Sequence, residues 1–282
     1  MFTKISGIFL FGCVFISICA VAMCIETNIL LHLKLNTPGF YFFVFGATLM
    51  QYNMHYLFKT TAVVNSKRLQ WTLKNKPIHK ILIVIGVVFI IYSLFSFRLH
   101  HLIVLAALGI IAVLYSFPFL PFANKKRIKD FGLLKIITLA LLWTLVTVWF
   151  PADEINITGV SFQLIFLRRF IFIFILCLLF DIRDTETDRK ENISTLSVKL
   201  GKRRSYIICY ILLFIFAALS VAQFIYSPDK MQLLAMLISA VLTVFTIEYS
   251  KKNNSDVVYL AGVDGMMFIQ AILVILGSVY FR

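Results

Sequence analysis

Apolar residues run along this chain in long blocks, separated by short clusters of lysine and arginine. A stretch of about 20 such residues crosses roughly 30 Å of hydrocarbon at about 1.5 Å per residue. Nine blocks of that kind fall at approximately 5–25, 39–58, 80–97, 100–118, 132–150, 162–181, 205–226, 231–248 and 257–281. Each predicts a helix. Only Arg98 and Leu99 separate the third from the fourth, which predicts a tight helical hairpin. The first block follows a short start at Met1–Lys4, is long enough to span and has no small-residue cleavage site after it, so it reads as a helix rather than a leader. There is no internal repeat.

Composition makes the class plain. Apolar residues are 61% of the 282 and charged residues 14%, with a mean hydropathy of +0.93; soluble domains sit near 45–50% and 25%. A water-soluble fold could not hide that much apolar area. The expected architecture is all-α: a polytopic membrane protein whose nine or so helices surround a central cavity, organised as a single domain over residues 1–282. The five cysteines (Cys13, Cys19, Cys24, Cys177, Cys209) form no CxxC pair and lie in apolar runs, where they read as small buried hydrophobes.

The formal charge of +14 follows from topology. Lys59, Lys67, Arg68, Lys74, Lys76 and Lys80 lie between the second and third spans, and Lys125, Lys126, Arg127, Lys129 and Lys135 between the fourth and fifth. A third cluster runs from Arg183 to Arg204, and with Lys251 and Lys252 one side holds 20 of the 27 basic residues. The positive-inside rule then puts the N-terminus in the cytoplasm and, after nine crossings, Arg282 outside, as for an integral protein of a cell inner membrane. Lysine and arginine placed this way imply a bilayer partner and give no reason to invoke nucleic acid.

Acidic residues are few, 13 in all, and five of them stand within eleven positions: Asp181, Asp184, Glu186, Asp188 and Glu191. Asp181, Asp184 and Asp188 are spaced i, i+3, i+7, so a sixth helix continuing through them would carry all three carboxylates on one face. Like charges stacked that way repel unless a cation bridges them. Magnesium takes one or two protein carboxylates and leaves its other positions to water and phosphate. The basic residues interleaved with them, Arg183 and Lys199 among others, suit a diphosphate. A solvated cytoplasmic loop of mixed charge is the other way to read the same spacing.

The stretch Asp181-Ile-Arg-Asp-Thr-Glu-Thr-Asp-Arg-Lys, followed by Ser194-Thr-Leu-Ser-Val-Lys-Leu-Gly201, resembles the second aspartate-rich motif of the UbiA-type intramembrane prenyltransferases. Tyr115-Ser-Phe-Pro118, followed by Lys125 and Lys126, is similar to that family's Tyr-Ser-x-Pro…Lys segment. The resemblance implies a helical bundle in which Asp181, Asp184 and Asp188 hold Mg²⁺ on the diphosphate of a prenyl donor. It also implies a lipophilic or aromatic acceptor, and prenyl transfer assisted by Tyr115, Lys125, Lys126, Arg183 and Lys199.

One departure is large. The family's first motif, Asn-Asp-x-x-Asp-x-x-x-Asp, should close the second span, where this chain reads Gln51-Tyr-Asn-Met-His-Tyr-Leu-Phe-Lys-Thr-Thr61. Asn53 is kept, but the aspartate positions are Met54, Leu57 and Thr61, and no acid occurs between Glu26 and Asp130. Either basic groups (Lys59, Lys67, Arg68) neutralise the diphosphate in place of a metal, or the chain keeps a lipid-binding or transport fold without the chemistry. A transporter would more often pair interrupted helices in two halves. His55, beside Asn53, is a further candidate for substrate contact. Asp264 in the ninth span could orient an acceptor or act as a base. Arg168 and Arg169 are expected to snorkel at the outer interface, and Gly262 and Gly265 to give the ninth helix a small face.

Overall fold

A computed structural model describes residues 4–57, 67–116, 132–152, 159–190 and 192–280. Every element among them is helical: α1 (Lys4–Phe11), α2 (Val14–Leu30), α3 (Pro38–Leu57), α4 (Lys67–Lys74), α5 (Lys76–Leu94), α6 (Leu99–Ser116), α7 (Gly132–Thr144), α8 (Val160–Lys190), α9 (Leu196–Leu200), α10 (Lys202–Tyr226), α11 (Lys230–Lys252) and α12 (Gly265–Tyr280). A π-helical turn over Leu145–Trp149 and a 3₁₀ turn over Phe150–Ala152 extend α7, and a second π turn, Val258–Val263, leads into α12.

A helix lies at each of the nine expected spans. Among the described residues, five continuous segments are long and apolar enough to cross a membrane, and α1 with α2 makes a sixth if that bent pair is one span, fewer than the nine expected. The outward surface fits a lipid solvent: Val84, Phe214 and Phe245 are more than half exposed on helices whose polar backbone is satisfied internally. This is an integral membrane protein.

The first span is broken. Cys13 adopts φ 63°, and the axis turns by 54° between α1 and α2. Ending α1 frees carbonyls, and the Asn53 side-chain amide donates to one of them, Gly12 O, at 3.0 Å. Helices α3 and α5 meet where Gly46 faces Gly86; a Cβ on either would stand 2.7 Å from the other's carbonyl oxygen, so only glycine allows this approach.

Helices α2 and α8 supply much of the buried core. The two π turns release carbonyls from the regular ladder, and α2 answers both. Thr27 Oγ1 donates to Thr147 O at 2.6 Å, the Cys24 thiol to Val146 O at 3.6 Å, and the Cys19 thiol to Asp264 O at 3.8 Å.

Two expectations fail. Helices α5 and α6 do join through a short turn, but α5 packs chiefly on α3 and α6 on α7, so the pair splays instead of forming a hairpin. Arg168 and Arg169 do not snorkel. Each is only 3% exposed, and Arg169 Nη2 reaches the buried Glu26 Oε2 at 2.9 Å. An acid in α2 holds the guanidinium inside the bundle, where charges persist mainly as pairs.

Candidate active site

Helix α8 continues unbroken past its apolar part to Lys190, so the aspartates are helical as the spacing required. Asp181 and Asp188, two turns apart, share a face and converge on a single cation from α7. Lys135 Nζ lies 2.7 Å from Asp181 Oδ1 and 3.5 Å from Asp188 Oδ2. The start of α7 is tucked against the turn between α8 and α9. Gly132 has φ +42°, and a Cβ there would stand 2.1 Å from Ser194 O. That close fit holds Lys135 against α8.

The segment after the aspartates has a local purpose. Thr195 caps α9 by accepting from Val198 N, and Ser197 Oγ donates to Asp181 O at 2.8 Å. Thr185 Oγ1 donates to the same carbonyl at 3.1 Å. Two hydroxyls therefore fix the backbone that presents Asp181.

Asp184 is turned away. Its side chain is 41% exposed, and Arg183 grips it through Nε at 2.7 Å and Nη2 at 3.2 Å. The three aspartates expected as one metal set are thus split two and one, and no cluster of three His, Cys, Asp or Glu able to hold a metal forms among the described residues. The i+3 step puts Asp184 about 60° around the helix from Asp181, since each residue turns about 100°, and Arg183 draws it further. Asp181 and Asp188 still suit one hard cation. Asp181 Oδ2 and Asp188 Oδ2 are buried oxygens without a hydrogen-bond donor, and magnesium needs only one or two carboxylates beside phosphate. Burial pushes the Asp188 carboxyl, beyond the apolar part of α8, up to about 6, with Lys135 opposing the rise.

A second group of cations lies across the site. Short α4 carries Arg68, whose guanidinium sits 3.7 Å over the Tyr56 ring, with Nη2 3.2 Å from Cys13 Sγ. Asp256 ties this arginine to the aspartate helix: its Oδ2 accepts from Arg68 N at 2.9 Å, and its Oδ1 is 3.8 Å from Arg183 Nη1. Arg183 also lies over the rings of Phe180 and Tyr259. Asp264 is within electrostatic reach of both arginines. Tyr115 at the end of α6 is within reach of Lys135 and Asp181, and Tyr52 accepts from Trp143 Nε1 at 3.2 Å.

Other expected residues are placed differently. Asn53 is fully buried and occupied. Its amide nitrogen donates to Gly12 O and Leu49 O, and Oδ1 meets His79 Nδ1 at 2.6 Å. His55 packs edge-on against Tyr56. Lys199 is exposed on α9. Lys59, Lys125 and Lys126 lie outside the described residues.

Sequence reasoning gave no role to Asp256. Its only signal was an acid opening the ninth span, where a helix start favours one. Glu26 likewise carried a weak mark, an acid directly after the first apolar block.

Comparison with known proteins agrees with this frame. Two solved structures share the fold. One, a digeranylgeranylglyceryl phosphate synthase, is 17% identical and superposes with a TM-score of 0.58 over 97% of each chain. The other, a UbiA homolog from Aeropyrum pernix K1 without ligand, is 12% identical with a TM-score of 0.66 over 94% of this chain and 98% of that one. No curated protein sequence matches this chain. The family model of the UbiA prenyltransferases matches residues 72–272, most of the chain and all of the second aspartate motif. With its helical bundle and its aspartates on α8, the chain belongs to the UbiA prenyltransferase family.

Proposed function

We propose that this chain is a membrane prenyltransferase, one domain over residues 1–282 crossing the bilayer nine times with its N-terminus in the cytoplasm. It moves a prenyl group from a prenyl diphosphate to a lipophilic or aromatic acceptor. The observation that carries the proposal is the pair of buried carboxylates, Asp181 and Asp188, which share the single ammonium of Lys135, with Asp181 Oδ2 lacking a hydrogen bond among the described residues. Two buried carboxylates sharing one ammonium keep an excess negative charge that is costly to bury, so they are placed to grip a further cation.

Mg²⁺ held by Asp181 and Asp188, with Asp184 at the rim, would supply Lewis acidity to the bound diphosphate. The chain's own residues do the rest. Arg68 stands over Tyr56, beside the degenerate first motif, and Arg183 faces it through Asp256. These guanidiniums neutralise diphosphate oxygens that the missing aspartates would otherwise have bound through a metal. The carbon–oxygen bond breaks, diphosphate leaves with the electron pair, and Lys135 adds a third positive charge. Tyr52, Tyr56 and Tyr115 shield the allylic cation, with cation–π contacts contributing about 0.5–2 kcal/mol. The acceptor attacks that carbon and loses a proton, for which Asp264 is the nearby base.

The seat of Lys135 between Asp181 and Asp188 favours a second reading, a lipid-binding or transport member of the fold whose metal site is already filled by an ammonium. Purified protein incubated with radiolabelled prenyl diphosphates and a membrane extract separates the two. Magnesium-dependent label in lipid, lost in Asp181→Ala and Asp188→Ala, supports the enzyme; turnover unchanged in those variants refutes the metal assignment, and no label at all supports the second reading.

A further inference from the structure

The end of the bundle remote from Asp181 holds charges that prenyl transfer does not use. Arg168 precedes Asp181 by 13 residues on α8, about 20 Å along the axis. It is 3% exposed, and among the described residues its guanidinium makes neither hydrogen bond nor ion pair; it lies 6.0 Å from the Phe216 ring and within electrostatic reach of Glu26. Five N–H donors on a buried charge do not go unanswered in a stable fold.

Arg168 borders a small cavity lined by Ser220, Gln223, Ser227, Asp229 and Gln232. Gln223 Oε1 is likewise buried without a partner. This cavity is small, about 10 Å³, room for one water-sized atom, and it is partly open. A cleft of about 440 Å³ shares Asp229 and Gln232 with it and is lined by Lys230 and Ser278. Asp229 commits Oδ1 to the Met231 and Gln232 amides as the N-cap of α11. Glu26 is taken by Arg169. Among the described residues, three cations (Arg168, Arg169, Lys230) therefore stand against two carboxylates (Glu26, Asp229), which leaves one positive charge in excess.

We propose that this is a phosphate-group site: one oxygen enters the small pocket against Arg168, and the rest of the group lies in the cleft beside Lys230. The planar guanidinium fork suits phosphate oxygens, and the pocket's size admits one oxygen and no more. A single water would satisfy some donors but bring no counter-charge. The same chemistry comes from inorganic phosphate or from a phospholipid head group.

The test compares delipidated wild type with Arg168→Gln in nonionic detergent. Thermal unfolding is followed with inorganic phosphate against chloride at equal ionic strength, and with phosphatidylglycerol against a diacylglycerol of the same chains. The diphosphate site can also respond to phosphate, so the difference between the two proteins is the readout. A lipid-phosphate stabilisation of wild type whose apparent affinity falls about tenfold or more in the variant supports a head-group site; the same loss for inorganic phosphate alone supports a free-anion site. Equal responses in both proteins overturn the proposal. Should Arg168→Gln fail to fold, an experimental wild-type structure with the lipid decides: phosphate density on the Arg168 guanidinium supports the site, and water alone there overturns it.

Discussion

Lys135 Nζ and Asp181 Oδ1 meet at 2.7 Å although 46 residues separate them in the chain. Asp181 is 1% exposed and has no other side-chain donor among the described residues, so this contact sets its charge balance. Breaking a buried pair from one side costs about 3–5 kcal/mol. Lys135→Met is expected to lose about that much stability without metal. Magnesium should then raise its unfolding midpoint more than that of wild type, which thermal melts with and without the ion will show.

Gly132 makes the same point through the backbone. Alanine there meets both a φ of +42° and the Ser194 carbonyl. Gly132→Ala should destabilise by more than about 1 kcal/mol and displace Lys135 from α8. Chemical denaturation and prenyl-transfer rates are expected to fall together in this variant.

Asn53 is expected to act on stability. Removing its three hydrogen bonds in Asn53→Ala leaves Gly12 O and His79 Nδ1 without it, at about 1–3 kcal/mol for each buried group left unsatisfied. The unfolding midpoint should drop, while KM for the prenyl donor, measured below that midpoint, should hold. A large KM change with unaltered stability would return Asn53 to the substrate.

Glu26→Gln strands the Arg169 guanidinium inside the bundle, at about 3–5 kcal/mol. Glu26→Leu combined with Arg169→Met should recover part of that loss. A double variant as unstable as the summed singles would deny the pairing; melts of all the variants provide the cycle.

Asp256→Ala should separate Arg68 from Arg183. Loss of the capping bond to Arg68 N costs about 0.5–2 kcal/mol, and kcat/KM should fall about tenfold through a weaker hold on diphosphate. Asp256→Asn, which keeps the acceptor for Arg68 N, is expected to recover most of the stability and less of the activity.

Much of this was legible in the chain because a bilayer imposes simple rules. Apolar length placed a helix at each span, and heptad spacing put Asp181 and Asp188 on one face. What escaped were relations between distant segments. Nothing in the local pattern says that Lys135 reaches Asp181, that Glu26 holds Arg169 or that Asp256 bridges two arginines. Asp184 was misplaced because spacing alone cannot weigh Arg183, its immediate neighbour in the sequence. The helix breaks escaped too: Cys13 sits within an uninterrupted apolar block, with no proline to mark the turn.

The π turn at Val258–Val263 has a consequence for how this chain can change. Such a turn is one residue longer than the α-helical turn it replaces, and each residue rotates the rest of the helix by about 100°. Asp256 stands before the turn and Asp264 directly after it, and both work with Arg68 and Arg183. Deleting any single residue between them would swing one acid away from the arginines while leaving every apolar block intact. The spacing of these two aspartates is therefore a strict count, hidden inside a segment that reads in the sequence only as an apolar block.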